Sequence, residues 1–320
     1  MTALTSLTAR SRWDEANAFE RDLIEGLSDT PRSIAPKYFY DADGSALFDR
    51  ICRTPEYYPT RTEKRILSEY AVDMAEMIGS SADIVEFGAG SLEKIRILLD
   101  SSLADSGDLR YLPVDISREY LERSAVALQA IYPGLAVEPI AADFTQPFGL
   151  PEGRRRVGFF PGSTLGNFHP NEALRLLRQF ATMLRGGGLL IGIDLVKDPA
   201  ILHAAYNDAA GVTAEFNRNL LKRANREAHA DFHVDACRHY AFYQPSLRRV
   251  EMHLVSARRQ VVTINGNRFV FSEGDSIHTE NSYKYSIDAI RDLAIASGFL
   301  PTACWTDPHK LFSVHWLEAI

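Results

Sequence analysis

Apolar residues recur at Ala16, Phe19, Leu23, Ile24 and Leu27, the three-and-four spacing of a helix with one apolar face, and Pro31 closes the stripe. A helix is expected over 13–27. After the Pro- and aromatic-rich stretch PKYFYDADGSALFDRICRTPEYYP, Thr60 and Glu63 stand at capping-box spacing ahead of Ile66, Leu67, Tyr70, Ala71, Met74 and Ile78. That predicts a second helix from about Arg61. Apolar runs then alternate with helical stripes: ADIVEFGAG (strand and Gly turn), SLEKIRILLDSSL (helix from Ser91), LRYLPVDIS (strand), REYLERSAVALQAIY (helix), LAVEPIAADF (strand), RRVGFFPGSTLGNF (strand), NEALRLLRQFATML (helix) and GLLIGIDLV, a strand apolar enough for burial on both faces. Strand–helix alternation of this kind argues for a parallel sheet wound with helices.

The rhythm stops at Asp198. From there to about Glu227 the pattern is helical, and RRVEMHLVSARRQVVTINGNRFVF reads as two strands joined by an Asn-Gly turn. It resumes with the helix SIDAIRDLAIASGF and ends in CWTDPHKLFSVHWLEAI, two extended segments around a Pro-containing turn. The fold class expected is α/β: a doubly wound, Rossmann-like domain over 60–197 plus 286–320, with a second α+β lobe from 1–59 plus 198–285.

Composition narrows the possibilities. Of 320 residues, 46% are hydrophobic, and 35 Lys+Arg stand against 42 Asp+Glu for a net charge of −7, so binding a phosphate backbone is not expected. No apolar run reaches the length of a membrane span, and the opening residues carry no secretory pattern, so a cytoplasmic protein is expected, and separately a monomer. The three cysteines, Cys52, Cys237 and Cys304, are odd in number and far apart, which suits free thiols better than a disulfide framework. His233, Cys237 and His239 have a ligand-like spacing but no second half, so no metal is expected.

Candidate chemistry gathers where strands end. IVEF runs into Gly88-Ala89-Gly90, a turn that allows close backbone approach to a ligand; the third glycine of a dinucleotide fingerprint would fall at Glu93, which weakens a nicotinamide reading. Asp115 ends the next strand, where a carboxylate can receive ribose hydroxyls, and Asp143-Phe144 ends the third, where a polar group and a ring could hold adenine. Lys94, in the first turn of the following helix, offers positive potential to a carboxylate. Glu86 with the glycines, an acid and Asp-Phe together look like a class I methyltransferase using S-adenosylmethionine. Asn167, closing GSTLGNF, has an amide that could orient a small amine, or that merely caps the next helix. In HTENSYKYS the period of two would set His278, Glu280, Ser282 and Lys284 on one face, as a polar grip or as solvated charge. Val250, Met252 and Leu254 share a face that reads as a wall of core or pocket. No Gly-x-Ser-x-Gly elbow supports acyl transfer.

The segments PKYFYDADGSALFD, TPEYYPTRTE, VEFGAGSLEK, GSTLGN, DLVKD, YNDAAGVTAEFNRN and TENS resemble the histidine-specific Nα-methyltransferases of ergothioneine biosynthesis, from about residue 30 to 285. The resemblance implies S-adenosylmethionine held by Gly88, Lys94, Asp115, Asp143 and Phe144. It implies free L-histidine held by Tyr57, Asn167, Tyr206, Glu280 and Ser282, with Tyr40, Phe48, Gly162 and Met252 lining the same pocket, between the methyltransferase domain and the extra lobe. Asn167 and Tyr57 would then serve the reacting amine, and Glu280 and Ser282 the imidazole. Three readings compete: an Nα-methyltransferase for another aromatic amino acid such as tryptophan, a nicotinamide-dependent dehydrogenase, and a binding protein that keeps the crevice without turnover.

Overall fold

The protein is described here by a computed structural model covering residues 18–90, 92–103 and 108–320; the expected helix start at Trp13 and the helix-opening Ser91 lie outside the described residues. The chain forms two compact units, one comprising residues up to Tyr58 with Asp198–Ser282, the other Pro59–Lys197 with Tyr283–Ile320.

The first unit opens with α1 (18–28), whose Phe19, Leu23 and Leu27 are the buried stripe, and α2 (Ala42–Ile51), capped by the Asp41 carboxylate accepting the Gly44 N–H at 2.7 Å. In the second unit follow α3 (Tyr58–Glu69), α4 (Ala71–Ile78), β1 (Ser81–Phe87), α5 (Glu93–Ser102), β2 (Asp108–Asp115), α6 (Arg118–Ile131), β3 (Ala136–Val137), β4 (Ile140–Ala141), β5 (Arg156–Phe160), α7 (Pro170–Met183) and β6 (Gly188–Asp194). The chain then returns to the first unit for α8 (Pro199–Tyr206), α9 (Val212–Glu227), β7 (Cys237–Gln244), β8 (Arg249–Ser256), β9 (Gln260–Ile264), β10 (Asn267–Phe271) and β11 (Ser276–Tyr283). It closes the second with α10 (Ile287–Ala296), β12 (Phe299–Thr306) and β13 (Phe312–Ala319).

Among the described residues the second unit's sheet runs β12-β13-β6-β5-β1-β2-β3, with β4 also on β2. From β6 to β3 the strands are parallel, and β13 is antiparallel to both β6 and β12. Alternate side chains feed two cores. Val85, Phe87, Leu112, Val114, Phe160 and Ile191 pack against α7 and α10 on one face, while Ile84, Tyr111, Phe159, Leu190 and Trp316 pack against α3, α4 and α5 on the other. The double covering explains why β6 reads GLLIGID without polar alternation.

Several expectations need correction. LAVEPIAADF is not one strand: Pro139 has no N–H to give to the ladder, and pairing survives only as the two-residue β3 and β4. The segment 61–78 is two helices broken at Tyr70, and the first begins at Tyr58, so Thr60 lies inside its first turn and not at its cap. RRVEMHLVSARRQVVTINGNRFVF holds three strands, not two. β8 joins the sheet β11-β8-β7, while only β9 and β10 form the hairpin around Asn265-Gly266, both with positive φ as a tight hairpin turn requires.

Candidate active site

In a doubly wound sheet, ligands bind outside the carboxyl ends of the strands, where the strand order reverses. Here the reversal lies between β1 and its neighbours β2 and β5. Gly88 follows β1 directly with φ +74°, and its N–H donates to the Val114 carbonyl at 2.9 Å, so the turn is pinned to β2. A Cβ on Gly88 would lie 3.3 Å from the Phe144 ring, whereas one on Gly90 would meet nothing within 4 Å. The turn is therefore a cradle, open at Gly90 and walled at Gly88 by Phe144. That ring leans edge-on against Phe160 at 5.6 Å. Asp115 ends β2 with Oδ1 accepting the Ser117 N–H at 2.9 Å, and its burial raises the carboxyl pKa against that bond. Asp143 accepts from the Thr145 N–H and hydroxyl, at 2.9 and 2.6 Å. Beneath the cradle, burial pushes Glu86 up to about 7 although Tyr111 donates to it at 2.5 Å. An open glycine cradle, a strand-end carboxylate and a ring edge suit a nucleoside carrying a charged tail.

Lys94 is not a free cation awaiting a ligand. Its ammonium lies 2.6 Å from the Glu63 carboxylate, which is 1% exposed and whose two oxygens also accept the Gly162 N–H at 2.9 and 3.0 Å. Glu63 was legible only as a capping-box acid, because a Thr–Glu spacing looks the same whether or not the carboxylate turns back on its own helix.

Gly162 and Ser163 both have positive φ, and the 3₁₀ turn Thr164–Asn167 follows. The Ser163 hydroxyl accepts the Asp194 N–H at 2.9 Å, and a Cβ on Gly166 would lie 2.7 Å from the Tyr283 carbonyl. Asn167 does not cap the next helix. His169 is the N-cap of α7, and Glu172 reaches back to its N–H at 2.9 Å, so the half-buried Asn167 amide is not used in that role.

In the first unit, Tyr40, Phe48 and Tyr57 form an aromatic chain, edge-on at 5.7 and 6.1 Å. Phe216 of α9 packs against Tyr40 and Phe48 at 5.9 and 6.1 Å. Phe216 went unpredicted because one apolar residue on an amphipathic helix reads as core. Burial first, then the neighbouring Tyr206, Cys52, Tyr40 and Glu280, hold the Tyr57 phenol well above its usual value, so it keeps its proton near neutral pH. Tyr206 donates to the Ser282 hydroxyl at 2.7 Å, which joins α8 to β11. Met252 is buried at 2% between Val250 and Leu254 in phase, and its carbonyl accepts from Thr279.

The shared face expected for HTENSYKYS holds only in part. His278 and Glu280 are half-buried in phase, but β11 ends at Tyr283 and Lys284 is not solvated charge: its ammonium is buried, 2.8 Å from Asp194. Tyr283 bonds His169 Nδ1 at 3.1 Å. His239, from the ligand-like spacing, is held by Asn217 at Nδ1 and by the Tyr206 carbonyl at Nε2, both at 2.9 Å. Glu251, His253 and His278 do bring ligand atoms within 4.8 Å of one another, but Arg249 already neutralises Glu251 at 2.6 Å and His253 occupies its other oxygen at 3.1 Å.

Sheet order and cradle define a class I S-adenosylmethionine-dependent methyltransferase fold. Residues 19–319 match the family described as histidine-specific methyltransferase, SAM-dependent, and the chain belongs to that family. It is 41% identical to a histidine N-alpha-methyltransferase of Mycobacterium tuberculosis over 91% of both chains, and 40% identical to that of Mycolicibacterium smegmatis over 92% of both. It is 30% identical to ergothioneine biosynthesis protein 1 of Neurospora crassa over 87% of this chain and 32% of that one. A solved methyltransferase, CcbJ from Streptomyces caelestis, superposes with TM-score 0.47 and 14% identity, over 80% of this chain and 96% of that one. The protein is an S-adenosylmethionine-dependent N-methyltransferase.

Proposed function

We propose that the protein methylates the α-amino group of free L-histidine three times, giving Nα,Nα,Nα-trimethylhistidine, the hercynine of ergothioneine biosynthesis. The family match over 19–319 is the observation that carries this reading. It favours histidine over tryptophan, as do the two histidine N-alpha-methyltransferases at 41% and 40% identity. S-adenosylmethionine supplies an electrophilic methyl on a sulfonium. Gly88 would give its tail room, Asp115 would receive its ribose, Asp143 and Phe144 would hold its base, and Lys94 would receive its carboxylate.

The chain's own work is alignment, since displacement at a methyl carbon needs the amine lone pair in line. The Asn167 amide, not engaged as a helix cap, orients the amino and carboxylate groups of histidine with both a donor and an acceptor. Tyr57 stays protonated and donates near the amine; it does not take the proton, which leaves to solvent. Glu280 and Ser282 pair with the imidazole nitrogens. Tyr206 donates to the Ser282 hydroxyl and so fixes its position, and a site built to pair polar atoms rejects rings that lack them. Tyr40, Phe48, Gly162 and Met252 shape the pocket.

Among the described residues no helix is long and apolar enough to cross a membrane. The reading places the enzyme in the cytoplasm as a monomer, acting on a free amino acid without nucleic acid, membrane or metal. Mass spectrometry of purified protein with S-adenosylmethionine and each free amino acid tests it. Mono-, di- and trimethylated histidine are expected in succession, and preferential methylation of tryptophan, or no product, overturns the assignment.

A further inference from the structure

A carboxylate that is 1% exposed is costly unless it is fully engaged, and Glu63 is engaged by partners from two different parts of the site. Lys94 comes from the helix after the glycine cradle; the Gly162 N–H comes from the turn after β5 that leads to Asn167. The two also lie close together, since a Cβ on Gly162 would fall 3.3 Å from the Lys94 ammonium. The sheet makes room for this carboxylate. On the face of β6 covered by α3, Gly192 has no side chain, and a Cβ there would fall 2.0 Å from Glu63 Oε1. The turn it holds has Ser163, a non-glycine residue, in the left-handed region directly after Gly162, so its bonds to Glu63 and Asp194 help to hold a conformation that costs energy.

We propose that Glu63 is a positioning residue that sets Lys94 and the Gly162–Asn167 turn in one geometry, so that the group receiving the cofactor's carboxylate and the group orienting the substrate amine are placed by a single buried carboxylate. The proposal rests on the methyltransferase roles given above to Lys94 and Asn167. It makes Glu63 neither a base nor a ligand. Its effect on cofactor affinity runs through Lys94, and its effect on turnover runs through Gly162.

Calorimetry with S-adenosylhomocysteine and steady-state kinetics with histidine test it on Glu63→Gln, Lys94→Met, the double variant and Gly192→Ala. Glu63→Gln is expected to raise the S-adenosylhomocysteine dissociation constant about 10-fold and to lower kcat at least about 30-fold with both substrates saturating. In the Lys94→Met background the same change should move the dissociation constant less than about twofold while kcat still falls, because coupled groups are not additive. Gly192→Ala, which displaces the carboxylate without removing its charge, should shift both parameters in the same direction, and it carries the test if Glu63→Gln does not fold. A lower Tm with dissociation constant and kcat within twofold of wild type would reduce Glu63 to a structural ion pair, and losses that multiply with Lys94→Met would break the proposed route. The binding arm needs no amino acid, so a wild type inactive on histidine sinks the substrate assignment and leaves the Glu63–Lys94 coupling measurable.

Discussion

His315 should make this protein acid-labile over a definite window. It sits on β13 with no exposed surface; Nε2 shares a 2.8 Å hydrogen bond with the Ser313 hydroxyl, and Nδ1 is buried without a partner among the described residues. Burial, with Arg291 adding to it, pushes its pKa down to about 4, against about 6.5 in an unfolded chain. Between those values the unfolded state binds more protons than the folded one, so stability rises with pH there. It is fully present above 6.5 and is lost as the pH falls towards 4. The interval, at 1.36 kcal/mol per pH unit, amounts to about 3 kcal/mol. The double variant Ser313→Ala/His315→Phe removes the titrating ring together with the hydroxyl it bonds at 2.8 Å. Urea unfolding of wild type and variant at pH 7.5, 6.5, 5.5 and 4.5 isolates the effect, because every carboxylate is common to both. The variant should gain on wild type by about 2.5 kcal/mol from the top to the bottom of the range, which stops short of the folded pKa. A stability difference that stays constant with pH would show that His315 titrates alike in the folded and unfolded states, and the burial argument would fail.

Three further outcomes concern the site. Gly88→Val adds bulk where a Cβ already approaches Phe144 and at a positive φ, so S-adenosylhomocysteine binding should be abolished while circular dichroism keeps the wild-type spectrum; unchanged affinity by calorimetry would misplace the crevice. Asn167→Ala should cut histidine turnover at least about 100-fold with cofactor affinity retained, since the reaction depends on alignment, and near wild-type turnover would remove Asn167 from the reacting centre. Glu280→Ala should weaken histidine binding by about 1–3 kcal/mol and lower the ratio of histidine to tryptophan activity in competition; a preserved ratio would take Glu280 out of ring recognition.

The placement of the second unit's candidate cofactor residues was legible because strand ends announce themselves. IVEF running into Gly-Ala-Gly, Asp115 after an apolar run and Asp143-Phe144 after another need only a period and a turn to be placed on one edge. Glu63 and Phe216 were not, since each satisfies a local pattern, a capping box and an amphipathic stripe, that says nothing of the partner chosen in three dimensions. Lys284 shows the limit of periodicity. Alternation carried Glu280 correctly, but it could not foresee that the strand stops at Tyr283 and that a buried carboxylate, Asp194, draws the next side chain inward. Where β8 ends and β9 begins was lost for a similar reason: only three residues separate them, and pairing decides that they belong to different sheets.

The antiparallel β13 lies between β6 and β12, so an interior strand of the methyltransferase sheet is translated after both of its neighbours. Domains tend to form as the ribosome releases them, but this sheet has no partner for β6 on that side until residues 312–319 emerge. Until then a seven-residue apolar strand, GLLIGID, presents an open row of backbone donors and acceptors, the kind of edge that recruits other chains. The nascent protein therefore passes through a period in which the cofactor half is synthesised in outline and yet vulnerable to self-association. Premature stops or frameshifts after residue 299 should yield insoluble chains, although every residue assigned to cofactor or substrate lies upstream of them.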